Sequence, residues 1–149
     1  MVEENQKAPD FTLNNQDGKI IKLSDFKDQA VVLFFYPKDM TPGCTIEACD
    51  FSENLTRIKK KGAVVLGVSF DNEASHQKFR AKHGLQFDLL VDADKDVAKA
   101  YGVYQLKTFM GKESMGIVRS TFVIKNGKIS KVFSPVKVEG HVEAVLAIL

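Results

Sequence analysis

The chain has 149 residues, the size of one ordinary domain, and at that length folding should bury roughly 70% of the surface an unfolded chain exposes. With 44% hydrophobic and 27% charged residues it lies in the globular range, and its net charge of +2, spread along the sequence, gives no basis for binding nucleic acid or an anionic membrane. No apolar run approaches the roughly 18 residues of a membrane span, and Met1 to Pro9 is polar and acidic with no signal-peptide core, so a cytoplasmic location is expected. Two cysteines are too few for a disulfide-built secreted scaffold; a close pair in a reducing compartment is catalytic, metal-binding, or simply two buried thiols.

In chain order, Phe11 to Leu13 and Ile20 to Lys22 flank Asp17-Gly18 and read as a short hairpin, after which Ser24 is expected to cap one helical turn. Val31 to Tyr36 (VVLFFY) and Ala63 to Phe70 (AVVLGVSF) are continuous apolar runs that fit strands buried on both faces. Between them Cys44 to Lys60 carries helical spacing, with Ala48, Phe51, Leu55 and Ile58 at steps of three and four. Strand, helix, strand implies a parallel pair with a right-handed crossover. Lys59-Lys60-Lys61 reads as the solvated basic end of that helix.

A further helix, Glu73 to His83, should end at Gly84, followed by a strand at Phe87 to Val91 and a short helix from Asp94 to Tyr101 stopped by Gly102. Tyr104 to Val118 is expected to be irregular. Ser120 to Lys125 and Lys128 to Phe133 surround Asn126-Gly127, the strongest hairpin signal in the chain, and His141 to Leu149 closes as a helix. With no repeat and no linker, residues 1–149 form one domain in this reading. The class is α/β: a thioredoxin-like three-layer sandwich with a mixed central sheet flanked by helices.

Chemistry concentrates at Thr41-Pro42-Gly43-Cys44. Thr41 suits an N-cap and Pro42 the first helical position, which puts Cys44 in the first turn, where unpaired amides and the helix dipole favour an anionic sulfur. A helix end supplies up to about 2 kcal/mol, whereas bringing an ordinary thiol into ionisation below neutral pH takes roughly 3.4 kcal/mol. A second positive group is therefore required. Lys38 is the one basic neighbour, Asp39 would oppose ionisation, and Arg119, just before the STFVIK strand, is the candidate from elsewhere in the fold. Cys49 lies five residues on, about 140° around an ideal helix and about 7.5 Å along it. The Cα separation of about 8.7 Å exceeds the roughly 7 Å limit for a disulfide, so bonding the pair requires the helix start to unwind.

The run Pro37-Lys38-Asp39-Met40-Thr41-Pro42-Gly43-Cys44-Thr45-Ile46-Glu47-Ala48-Cys49, followed at long range by Arg119-Ser120-Thr121-Phe122, resembles the peroxiredoxins, most closely the branch called bacterioferritin comigratory protein or peroxiredoxin Q. APDFTL, GVSFD, MGIVRSTFVI and GHVEAVL extend the resemblance over nearly the whole chain; Tyr104 stands where relatives often have Trp. The resemblance implies a thiol-dependent peroxidase that reduces hydrogen peroxide and organic hydroperoxides, with Cys44 as the peroxidatic cysteine. Thr41 would hydrogen-bond peroxide or thiolate, Pro37 would shield the sulfur, and Arg119 would stabilise charge across the O–O bond. Cys49 matches a resolving cysteine that closes an intramolecular disulfide, later reduced by thioredoxin or a similar dithiol protein. It implies a monomer and no metal or other cofactor.

Two rival readings are weaker on chemical grounds. A thioredoxin-type oxidoreductase prefers two residues between its cysteines, and here there are four. A metal site using Cys44, Cys49 and His76, His83 or His141 would need ligands that diverge on the helix to converge. A chaperone-like role lacks an exposed apolar segment in this reading.

Overall fold

A computed structural model describes every residue from Met1 to Leu149. β1 (Thr12–Asn14) and β2 (Ile20–Lys22) form the expected hairpin. In the 3-10 turn that follows, Leu23–Phe26, Ser24 is not the cap. The Asp25 carboxylate accepts the Lys22 amide at 3.0 Å, so the turn begins at Lys22 and encloses Ser24.

β3 (Ala30–Phe35) pairs in parallel with β4 (Ala63–Ser69), and β4 in parallel with β5 (Asp88–Val91). Alternation sends Val31, Leu33 and Phe35 into one core and Val32, Phe34 and Tyr36 into the other, so every residue of VVLFFY is buried. Gly67 is a packing requirement: a methyl group there would come within 2.9 Å of both Phe34 and Leu89.

The stretch predicted as one helix is two, α1 (Pro42–Glu53) and α2 (Leu55–Lys60). Asn54 causes the break, its side-chain amide donating to the Asp50 carbonyl at 2.8 Å and so competing with the helical ladder. The apolar stripe survives the break, since Cys44, Ala48, Phe51, Leu55 and Ile58 are all buried. Arg57, Lys59 and Lys60 occupy the exposed last turn of α2, as the dipole favours.

α3 (Glu73–His83) is capped by Asn72, whose side chain accepts the Ser75 amide at 2.9 Å, and ends at left-handed Gly84. α4 (Asp96–Tyr101) starts later than expected because the Asp92 carboxylate captures the amides of Val97 and Ala98 at 3.2 and 2.8 Å. The segment expected to be irregular is a second hairpin, β6 (Tyr104–Phe109) and β7 (Lys112–Ile117), a two-stranded sheet of its own. Met110 and Gly111, both at positive φ, make its turn. The hairpin exposes Leu106, Phe109, Met110 and Met115, an apolar segment absent from the sequence-based expectation.

β8 (Ser120–Lys125) and β9 (Lys128–Phe133) flank Asn126-Gly127, both at positive φ, and α5 (His141–Ala147) follows. The seven-stranded sheet runs β2-β1-β5-β4-β3-β8-β9, parallel at its centre and antiparallel at both sides. Residues of α1, α2, α3 and α5 fill the core on one face, and those of α4 and the N-terminal segment fill the other. This is the expected α/β sandwich with a mixed central sheet. β8 is antiparallel to β3 with Ser120 opposite Phe35, so the start of β8 lies at the end of β3 that leads into α1.

Candidate active site

That register decides the site. Arg119, one residue before β8, reaches the first turn of α1, where its Nη2 donates to Cys44 Sγ at 3.3 Å and its Nη1 to Glu47 Oε1 at 2.8 Å. Cys44 is 1% exposed and both cysteines are free thiols. The second positive group that the helix dipole needs is thus supplied from 75 residues away in sequence. Gly43 permits the approach, since a Cβ there would lie 3.2 Å from Arg119 Nη2.

Burial alone would discourage charge on Arg119, but Glu47 and Cys44 outweigh it and raise its pKa. Glu47 is the member of the site that sequence reasoning did not single out. It sits on the buried face one turn after Cys44, its Oε2 has no partner, and desolvation lifts its carboxyl from 4.5 to about 7 despite the opposing pull of Arg119. An acid at that step within an apolar stripe was the available signal, because it needs a buried cation. His141 is also near Arg119: burial, then that positive charge, lowers it to about 4, and its Nε2 meets the Thr121 hydroxyl at 2.8 Å.

Thr41 is the N-cap residue by backbone, and Pro42 takes the first helical position as expected. The Thr41 side chain does not cap, however; its hydroxyl donates to the Lys38 carbonyl at 2.8 Å, a bond made within the tight turn at Met40, where φ is 66°. Its oxygen keeps lone pairs able to accept from another hydroxyl. Pro37 is half-buried where the chain leaves β3, and Lys38 is exposed. The Asp39 carboxylate is taken up by Tyr36, Ser75 and His76.

Cys49 is partly exposed on α1. Desolvation, followed by the charges of Glu53 and Asp50, raises its thiol above the ordinary value. Asp39, Asp71 and His76 bring potential metal-ligating atoms within 4.8 Å of one another, yet both ring nitrogens of His76 already meet protein oxygens.

The AhpC/TSA family profile matches residues 5–132. The chain belongs to that family. Peroxiredoxin Bcp of Bacillus subtilis is 50% identical over 149 residues, covering 99% of this chain and 95% of the relative. Among solved structures, a peroxiredoxin Q from Xylella fastidiosa aligns with a TM-score of 0.91 at 37% identity, covering 99% of this chain and 96% of that one. A bacterioferritin comigratory protein from Xanthomonas campestris, studied for its alkyl peroxide reduction activity, aligns with a TM-score of 0.87 at 40% identity over 92% of this chain and 88% of the other. This peroxiredoxin is of the bacterioferritin comigratory protein, or peroxiredoxin Q, branch, and as such an oxidoreductase of the thiol peroxidase class. No helix is long and apolar enough to cross a membrane.

Proposed function

We propose that Cys44 is the peroxidatic residue and Cys49 the resolving residue of a peroxidase acting on hydrogen peroxide and organic hydroperoxides. One observation carries this reading: a buried sulfur in the first turn of α1 accepts from a guanidinium at 3.3 Å. Helix amides and Arg119 favour the thiolate, which attacks one peroxide oxygen. The O–O bond breaks, the other oxygen leaves as hydroxide or alkoxide and takes a proton to become water or alcohol, and Cys44 becomes the sulfenic acid. Arg119 faces the charge as it passes from sulfur to the leaving oxygen. Thr41, with its donor proton already spent on Lys38, accepts from the peroxide hydroxyl, and Pro37 covers the approach.

The Cys49 thiol then condenses with the sulfenic acid, forming the S–S bond and releasing water. Because the two residues share an intact α1, this step requires its first turns to unwind. Unwinding also relieves the burial that is the first cause of the raised Cys49 thiol. Thioredoxin or a similar dithiol protein reduces the disulfide by exchange. Both cysteines come from one chain, so turnover needs only a single-domain monomer, and recycling by a dithiol reductant suits the reducing cytoplasm. Intact-mass analysis after stoichiometric peroxide tests this reading. The expected product is a monomer lighter by two hydrogens; a disulfide-linked dimer, or sulfinic acid formed before any disulfide, would overturn it.

A further inference from the structure

The segment between β3 and α1 is fastened by a buried cluster that the reaction does not itself use. Asp39, 4% exposed, accepts on Oδ1 from the Tyr36 hydroxyl at 2.5 Å and on Oδ2 from the Ser75 hydroxyl at 2.9 Å. His76, fully buried on α3, places Nδ1 2.6 Å from Asp39 Oδ2 and Nε2 2.9 Å from the Leu90 carbonyl of β5. A carbonyl oxygen only accepts, so Nε2 carries hydrogen, and one hydrogen is held between Nδ1 and Asp39 Oδ2. The ring and Asp39 therefore form a buried, directly hydrogen-bonded pair. The Asp39 backbone amide adds a bond to the Asp71 carboxylate at 2.8 Å.

The location gives this pair its meaning. Asp39 lies two residues before Thr41, whose carbonyl accepts the first helical bond of α1 from Thr45 at 2.9 Å. Arg119 arrives from β8 on the far side of β3, so the 3.3 Å contact between Arg119 and Cys44 depends on where this segment is pinned. Met40, immediately after Asp39, is a non-glycine residue at φ 66° and 42% exposed, a natural pivot. Leaving a buried carboxyl and ring without their hydrogen-bond partners is more costly than fraying a helix end.

Resting on the peroxidase reading above, we propose that Asp39 and His76 are positioning residues. They form a fixed post that registers Cys44 against Arg119 and stops redox-linked unwinding of α1 from spreading back past Met40. The post stays closed in both redox states, and α1 unwinds and rewinds beyond it. Because the pair acts through position, its loss slows the attack on peroxide and leaves condensation with Cys49 unimpeded.

The test is made on the full chain, with wild type first. If wild type shows no Cys44-dependent reaction with peroxide, the peroxidase assignment fails; the post is judged on an enzyme that has passed that control. By NMR, the His76 ring signals and the amides of Tyr36 to Asp39 should match in the reduced and disulfide forms, while those of Thr41 to Phe51 change. Movement of the His76 signals on oxidation would overturn the post, and this reading needs no variant to fold. In Asp39→Asn and His76→Leu, the second-order rate with hydrogen peroxide should fall about tenfold or more at a temperature where both are fully folded, with disulfide formation not slowed. His76→Asn, whose amide can still donate to Asp39, should recover most of the rate. Folded variants that keep the wild-type peroxide rate, or that slow both steps equally, would reduce the cluster to an ordinary structural contact.

Discussion

Glu47→Gln isolates the buried carboxyl next to Arg119. In the folded protein this group titrates at about 7 rather than 4.5, which at 1.36 kcal/mol per pH unit amounts to about 3 kcal/mol. The folded state holds the proton to higher pH than the unfolded chain, so folding is favoured most below pH 4.5, weakens as pH rises through 7, and stays weaker above. Gln accepts from Arg119 as Glu does but never ionises. Urea unfolding of the reduced proteins at pH 4 and pH 8 gives the comparison: the variant should gain about 3 kcal/mol on wild type between the two, with the other carboxylates cancelling. A stability difference independent of pH would refute the argument that desolvation outweighs Arg119 at this site.

Gly43→Ala should leave stability within about 1 kcal/mol, since Ala is the better helix former, yet slow the reaction of Cys44 by pushing on Arg119 Nη2; stopped-flow kinetics beside thermal melting would separate the two effects. Arg119→Met should lower the second-order rate with peroxide by about a hundredfold or more, with Arg119→Lys intermediate because a single ammonium cannot serve Glu47 and Cys44 with the same fork. Glu53→Gln removes the largest charge opposing Cys49 ionisation, so disulfide formation should speed up most at neutral pH and least in alkali, where the thiol ionises anyway; equal acceleration at both would contradict this. Arg57→Ala breaks an exposed pair with Glu143 and should leave the thermal melting temperature nearly unchanged; a clear drop would show that the pair matters to the fold.

The buried strands, the α1 stripe and the Asn126-Gly127 hairpin were legible because apolar period and turn chemistry agree there. The β6–β7 hairpin was not, since its strands are mostly exposed, its alternating apolar residues amount to only the Tyr104–Ile117 and Leu106–Met115 pairs, and it turns on Met110-Gly111. Cys44 could be placed from helix-start signals, and Arg119 from the need for a second charge together with resemblance. Glu47 and the His76 partnership with Asp39 depend on which side chains the fold brings together across 72 and 37 residues, and local pattern carries little of that.

Stoichiometric titration of the fully reduced protein with hydrogen peroxide, following free thiols and intact mass, tests the division of labour between the cysteines most directly. Wild type should lose both thiols rapidly for each peroxide consumed, Cys44→Ser should show no fast reaction, and Cys49→Ser should stop at a sulfenic acid on Cys44. A wild type that reacts no faster than an ordinary thiol, or a Cys44→Ser protein that still reacts fast, would contradict the account.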